Sequence, residues 1–372
     1  MRYLSKYQEA ESVLLQGLQL ARRRGERKFE GHFLLTLGAV LVPQDKRDEA
    51  EDTLRRALEI LNQVGDKLGQ ANAVMNLGVN AFAAGKPDDA LLRYQEALKL
   101  FEAVNNILGQ ANVLNNIGLI HVDRFNLAEG LAVFQSALEK YREIDNPLGQ
   151  MLAIGNMGDI YAHQGKYQDA LASFQSGNDI AKKIGNLEGQ ARLTSNVGEI
   201  YYKQKKLDES LTVNQEAFEI AKQINTPYVQ VNALHNLADA YAAKGMLPEA
   251  LNHAQMALDI SNKQKLYPLV RAETLNTFGE IYLKQKKPKD ALSPFEEALT
   301  LSNNARITSS KLRSLRGIGT SYLELGQKQD ALTYLRQAQE IYRNAGIDSP
   351  DSRKVQDLID QLAGEKPIRD RE

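Results

Sequence analysis

The 372-residue chain contains no cysteine and no tryptophan. Without cysteine it has no disulfide, no thiolate metal site and no thiol nucleophile. It also lacks an excess of either charge: 46 Lys plus Arg against 47 Asp plus Glu leave a net charge of −1. Non-specific nucleic-acid binding needs a strongly basic face, so this balance argues against a nucleic-acid partner without excluding local patches. No apolar run approaches the roughly 18 residues of a membrane span, and the opening MRYLSKYQEAES has no apolar core of signal-peptide length. A cytoplasmic protein with no membrane partner is the expectation. Enzyme signatures are missing as well. There is no Gly-rich phosphate loop with its lysine, no H-E-x-x-H, and no strand–turn–helix context for a nucleophile elbow. The histidines His32, His121, His163, His235 and His253 have no metal-ligand partner at helical spacing and read as satisfied or exposed side chains. The expectation is a chain that is not an enzyme, with no catalytic residue, cofactor or metal.

What the chain does have is repetition. Glycine stands at 38, 78, 118, 158 and 198, alanine at 238, then glycine at 279 and 319, a spacing of 40 with one step of 41. A second small-residue register runs Ala50, Ala90, Gly130, Ala170, Ser210, Ala250, Ala291, Ala331. A third lies seven residues later at Ala57, Ala97, Ala137, Gly177, Ala217, Ala257, Ala298 and Ala338. Tyr161, Tyr201, Tyr241, Tyr282 and Tyr322 follow the first register by three. Four registers sharing one period and one insertion define eight repeats. Within one copy, residues 148–187, the apolar positions step by three and four on each side of Gly165. That is the pattern of two amphipathic helices joined by a short turn. Such a pair cannot bury both stripes alone and needs its neighbours. The small residues suit close helix crossings, where bulk typically costs about 1–3 kcal/mol. Leu14, Leu54, Tyr94, Phe134, Phe174, Phe295 and Leu335 fill the space beside them.

Small Gly, an aromatic three on, Ala, a large apolar residue and Ala again resembles the tetratricopeptide repeat, a helix–turn–helix unit usually of about 34 residues. The chain departs from the common form in its longer period and in having no Trp at the start of the first helix, where Val74, Leu114, Ile154 and Leu234 stand. With its N-x-G core and its -GD- or -GN- followed by -GQ-, it is similar to repeats of spindle-orientation adaptors, kinesin light chains and bacterial multidomain regulators. The resemblance implies an all-α fold, a right-handed superhelical α-solenoid whose first helices line a concave groove. Residues 1–24 read as a half repeat, with Tyr7, Ala10 and Gly17 matching Tyr167, Ala170 and Gly177. Residues 25–347 read as the eight repeats, 348–363 as a C-terminal capping helix with Ser349 or Asp348 as N-cap, and 364–372 as a disordered tail. A chain that opens inside a repeat exposes a stacking face. The expectation is therefore a fragment or a start downstream of the real one, with possible self-association through that half repeat.

Function is carried by the first helix. Two residues before the Gly register stand Asn76, Asn116, Asn156, Asn196 and Asn236, whereas the position before them varies as Met75, Asn115, Gly155, Ser195 and His235. Asn costs about 0.7 kcal/mol against Ala inside a helix, so five copies need a reason. A side-chain amide offers a donor and an acceptor that match a peptide bond. The row either holds an extended peptide by its main chain or bonds neighbouring helices. One residue after the register comes an acidic column, Asp159, Glu199, Asp239 and Glu280. Arg271, Arg306, Lys311, Arg313 and Arg316 gather near the last first-helices, with Arg192 between. A ligand would lay basic groups on the column and an acidic group on the arginines, unless the charges serve only solubility. The reading is a protein–protein interaction module, an adaptor or scaffold, that takes a peptide or partner segment in the groove. The alternatives are the sensor arm of a larger bacterial signalling protein whose effector domain is missing, and an architectural, self-associating solenoid. Bacterial peptide-sensing regulators of similar length rank lower, because they carry an extra helical bundle for which a repeat phase running from residue 1 leaves no room.

Overall fold

The computed structural model describes residues 2–44, 46–264, 268–305, 308–344 and 350–364, and these are helical apart from the turns between helices. The chain divides into two compact units, Met1–Ile184 and Gly185–Glu372. The first holds α1 (Arg2–Arg24), α2 (Arg27–Leu41), a 3-10 turn (Val42–Gln44), α3 (Arg47–Gln63), α4 (Lys67–Ala83), α5 (Pro87–Ala103), α6 (Ile107–Asp123), α7 (Leu127–Glu143), α8 (Pro147–His163) and α9 (Tyr167–Lys183). The second holds α10 (Leu187–Lys203), α11 (Leu207–Gln223), α12 (Pro227–Ala243), α13 (Leu247–Gln264), α14 (Pro268–Lys284), α15 (Pro288–Ala305), α16 (Thr308–Glu324), α17 (Lys328–Asn344) and α18 (Pro350–Ala363). From α2 onward, even-numbered helices are the first and odd-numbered ones the second members of helix pairs, with α18 following the last pair.

Local chemistry sets the ends of these helices. Asp66, Asn106, Asn146 and Asn186 cap α4, α6, α8 and α10, each side-chain oxygen accepting from the backbone N–H of Gly69, Gly109, Gly149 or Gly189 at 2.6–2.9 Å. The glycine of -GQ- is required by packing: a Cβ on Gly109 or Gly149 would lie 2.2 or 2.1 Å from the ring of Phe101 or Tyr141. The glutamine at the next position, which after Val229 is Gln230, turns back, so that the Nε2 groups of Gln70, Gln150 and Gln230 donate to the carbonyls of Leu61, Tyr141 and Ala221 at 3.0–3.4 Å. Three residues thus cap one helix, seat it on the preceding one and close that helix's C-terminus. Inside each pair from α4–α5 to α16–α17 a turn residue takes a left-handed conformation, as at Gly165 (φ 72°), and Lys166 N–H donates to the Tyr161 carbonyl at 2.9 Å.

The core follows the small-residue registers. A Cβ added at Gly38, Gly78, Gly118, Gly158, Gly279 or Gly319 would meet Leu54, Tyr94, Phe134, Phe174, Phe295 or Leu335 at 2.5–2.7 Å. Those six side chains are all buried. The fifth repeat breaks the rule, with Asn214 against Gly198. α1 buries Leu18 and Ala21 and lays Gly17 under the ring of Phe33, while Val13, Leu15 and Leu20 stay exposed. At the other end α18 buries Val355 and Ile359 against Leu335 and Tyr342 of α17, with Leu358 and Leu362 at the margin. The N-cap named for it, Ser349 or Asp348, and the tail from 365 onward lie outside the described residues.

Candidate ligand site on the first helices

All five asparagines of the row are half-buried. In the first unit, Asn156 Nδ2 on α8 donates to Asn115 Oδ1 on α6 at 3.0 Å. Asn76 and Asn116 make no side-chain hydrogen bond among the described residues. In the second unit, Asn236 Nδ2 on α12 donates to the Ser195 carbonyl and hydroxyl on α10 and to Asn214 Oδ1, each at 3.1 Å. Asn196 is engaged as well. The varying position before the row is therefore where the amide of the next repeat finds its acceptor, Asn115 for Asn156 and Ser195 for Asn236. Where the nearby groups are acceptors, the amide turns its nitrogen toward them and the orientation is assigned. Its Oδ1 is left unclaimed among the described residues at Asn156 and Asn236.

Asn214 anchors a buried polar chain where six other repeats place an aromatic ring or leucine and the sixth repeat has Ala254. Ser195 Oγ donates to Asn214 Oδ1 at 3.2 Å, Asn214 Nδ2 donates to the Ser210 carbonyl at 2.8 Å, and Ser210 Oγ donates to the Gly198 carbonyl at 2.8 Å. A second chain joins α14 to α16: Asn276 Nδ2 donates to Ser310 Oγ at 3.0 Å, and Ser314 Oγ donates to Asn276 Oδ1 at 2.8 Å. The sequence signal for Asn214 was present as a break in the large-residue register. The signal for Asn276 was the loss of the usual Asn one position later, at Thr277. His235 bonds Thr274 through Nε2, and Thr274 Oγ1 spends its proton on the Val270 carbonyl at 2.8 Å, so the imidazole is the donor. Burial, with the nearby Arg313 charge, depresses its pKa to about 3, and the ring is neutral at physiological pH.

Four of the charged residues named from sequence, Asp239, Glu280, Arg313 and Arg316, converge in the second unit on α12, α14 and α16. Arg313 on α16 donates through Nε and Nη2 to the two oxygens of Glu280 at 2.8 and 2.9 Å, and through Nη1 to Glu273 at 2.9 Å. Nη2 also reaches Thr277 Oγ1 at 3.2 Å and lies 3.8 Å from Asp239 Oδ1 on α12. Glu273, Thr277 and Glu280 share one face of α14, at intervals of four and three. Arg316 lies 3.6 Å from Glu280 and pairs with Asp351 at the start of α18. Burial opposes the charge of every member. At Glu280 the two arginines and their bonds outweigh it and hold the carboxyl below its ordinary range. At Asp239 burial, reinforced by the charges of Glu280 and Glu273, wins over Arg313 and raises the pKa. Burial also pushes Tyr202 on α10 up to about 12, with Asp239 and Glu280 adding to the shift.

The acidic column and the arginines, expected to meet opposite ends of a ligand, thus meet each other at Glu280 and Asp239. Of the rest, Glu199 pairs with Lys203 at 2.9 Å one turn along its own helix, Arg271 pairs with Glu297, and Asp159 is engaged. Arg306 lies outside the described residues. Arg192 has no carboxylate partner among them, and its Nη2 is buried without a hydrogen-bond partner. Among the described residues no group of three His, Asp or Glu side chains is placed to hold a metal ion, and no helix is long and apolar enough to cross a membrane.

A model of the tetratricopeptide repeat matches residues 31–103, 109–183, 189–263 and 270–344. A comparison with curated proteins finds no match. Among solved structures, a Rap protein complexed with competence and sporulation factor superposes with a TM-score of 0.65 at 13% identity, over 93% of this chain and 99% of that one. The apo quorum sensor NprR from B. thuringiensis gives 0.61 at 15% identity, over 91% and 99%. A signal-transduction ATPase with numerous domains and a tetratricopeptide repeat sensor, from Pyrococcus horikoshii, gives 0.55 at 14% identity, over 90% of this chain and 53% of that one. At these identities the likeness shows the fold. With four matched stretches covering most of its length and helix pairs repeating in each unit, the chain belongs to the tetratricopeptide repeat family.

Proposed function

We propose that the chain is a non-catalytic binding module whose first-helix asparagines hold an extended peptide, or an extended segment of a partner protein, by its main chain. The observation that carries this reading is the fixed amide at Asn156 and Asn236. Each nitrogen is tied to the neighbouring first helix, and each Oδ1 is left as an oriented acceptor. A fixed acceptor pays little ordering entropy on binding, and main-chain N–H groups are its natural partners. Asn76 and Asn116 continue the row with amides that no side-chain bond restrains. Rap and NprR are solved as a factor complex and as a quorum sensor, and a peptide ligand for this chain accords with those names. An adaptor and a sensor arm would share this site and differ in what is attached to it.

The test uses an immobilised library of uncharged octapeptides, probed with the full chain. Replacing Asn76 and Asn116 by Ala removes no side-chain hydrogen bond and gains helix propensity, so thermal stability does not fall. Retention of peptides falls several-fold, in line with about 1 kcal/mol for each bond lost. Asn156→Ala weakens retention further and gives up one bond within the protein. If retention is untouched in all three positions while Asn156→Ala lowers stability, the row is packing and the reading is wrong.

A further inference from the structure

We propose that the cleft between α3 and α5 is a separate binding site, one that takes an ammonium group on an alkyl stem: a lysine side chain or a free aliphatic amine. The inference stands apart from the peptide-binding reading, since this cleft is walled by second helices and shares no residue with the asparagine row. Three exchanges against the repeat mark the place. Where Glu51 stands, the other seven repeats carry leucine, at 91, 131, 171, 211, 251, 292 and 332. Where Asn80 stands, they carry isoleucine four times and otherwise Val40, Ala240 or Ser321. One repeat later, Leu91 and Ile120 belong to a single apolar cluster, and so do Leu251 and Ile281. At the junction of the first two repeats that apolar contact is replaced by a hydrogen bond, from Asn80 Nδ2 to Glu51 Oε2 at 3.3 Å. Leu92 departs in the opposite sense, being 65% exposed where the other repeats have Asp, Asn, Ser, Thr or Ala. Polar groups have thus entered the interior and an apolar one the surface, and all three residues line the same cleft of about 460 Å³. Each exchange works against stability, and local rules broken together are the mark of a site.

The acceptor at the floor sets the chemistry of the ligand. Asn80 is 4% exposed, and its Nδ2 also donates to the Arg47 carbonyl at 3.1 Å, while its Oδ1 is buried with no partner. Two acceptors on α3 fix the orientation of the amide, so the group that completes it is a donor. A charged donor is favoured over a neutral one. The Glu51 carboxylate sits on the same amide, and Asp48 and Asp89, one on each wall, have no ionic partner among the described residues. Of the cations around the cleft, Arg55 pairs with Glu51 at 2.5 Å, Arg93 lies 3.6 Å from Glu96, Arg47 is engaged, and Lys86 stands exposed at the turn into α5. A charge-assisted hydrogen bond is about twice as strong as a neutral one. Leu77, Ala81 and Leu92 offer the alkyl stem its apolar contact, as such stems take when a charged head is held elsewhere. The upper walls are long charged side chains, which an entering stem parts to bring its head to the oxygen.

The experiment titrates the full chain with n-pentylamine, with 1-pentanol, and with blocked tripeptides carrying a central lysine or norleucine. Calorimetry gives the affinities, and the side-chain amide resonance that is missing from Asn80→Ile reports on Asn80 itself. The amine binds about tenfold more tightly than the alcohol and moves the Asn80 resonance, and whichever of pentylamine and the lysine peptide binds the tighter identifies the source. Asn80→Ile abolishes the preference for the amine, Glu51→Gln lowers it several-fold, and Leu92→Ser weakens amine and alcohol alike. Thermal melts accompany each variant, and Leu92→Ser, at an exposed position, decides the matter should Asn80→Ile fail to fold. An alcohol that binds as tightly as the amine reduces the cleft to an apolar crevice and overturns the proposal. So does amine affinity unchanged in both Asn80→Ile and Leu92→Ser, which places the amine elsewhere. Failure of every amine to bind leaves the acceptor without a ligand and overturns it as well. None of these variants touches Asn76, Asn116 or Asn156, so peptide retention by the asparagine row stands or falls separately.

Discussion

Arg313 is the side chain whose removal tests the electrostatics of the second unit most directly. Arg313→Gln deletes four donor contacts and leaves Glu273, Glu280 and Asp239 facing one another across α12, α14 and α16. Breaking a fully buried pair from one side costs about 3–5 kcal/mol. Here the Arg313 side chain is 22% exposed and Glu280 32% exposed, so solvent takes up part of the loss and about 2–3 kcal/mol is the expected cost. For a unit of this size that corresponds to a fall in Tm of roughly 5–10 °C. The signature that separates this mechanism from simple loss of packing is its pH dependence. Glu280 has a folded pKa below its ordinary 4.5, so its contribution is present above that value and disappears as pH falls through the lowered one. Asp239 has a folded pKa above its ordinary 3.8, so its ionisation opposes folding at neutral pH, and acidification relieves the cost. Without Arg313 both carboxyls rise, the penalty is largest near neutral pH, and protonation removes it. Melts of both proteins followed by circular dichroism, from about pH 8 to about pH 4, should show the gap in Tm closing as pH falls. A gap that stays constant across that range refutes the charge argument and makes Arg313 a packing residue.

Two further substitutions probe the core. Gly158→Ala places a Cβ 2.6 Å from the Phe174 ring, and overpacking of about 1–3 kcal/mol should exceed the helix propensity gained. Adding Phe174→Leu should restore part of the stability, and strictly additive losses in the double-mutant cycle would show that the two residues do not meet. Asn80 on α4 lines a cleft of about 460 Å³ between α3 and α5, where four other repeats bury Ile120, Ile160, Ile200 and Ile281. Its Nδ2 donates to the Arg47 carbonyl at 3.1 Å, while its buried Oδ1 has no partner. Asn80→Ile should raise the free energy of unfolding in denaturant melts by about 1 kcal/mol, since it removes an unmet acceptor and adds apolar burial. A loss of stability would mean that the amide bond outweighs both.

The repeat phase, the helix pairs and the small-residue crossings are legible in the chain itself, because they rest on residues three, four or seven apart repeated with a period of 40. The 3.6-residue turn places those on one face wherever the helix ends up. Asn146 before Gly149 is of this kind, and Gly158 opposite Phe174, which meet across one helix pair, recurs with the repeat. What the chain alone left open was how each asparagine and each charge is used. Asn156 meets Asn115, Asn236 meets Ser195, and Arg313 meets Glu280, pairs separated by 41, 41 and 33 residues. Those meetings depend on the rotation and spacing of neighbouring first helices, which tertiary packing decides. The same packing pairs Arg313 and Arg316 internally and leaves Arg192 without a carboxylate among the described residues. Sequence therefore determined the architecture and the list of candidate side chains, and tertiary structure divided that list, because a hydrogen bond or ion pair is a matter of a few ångströms between helices that no local periodicity controls.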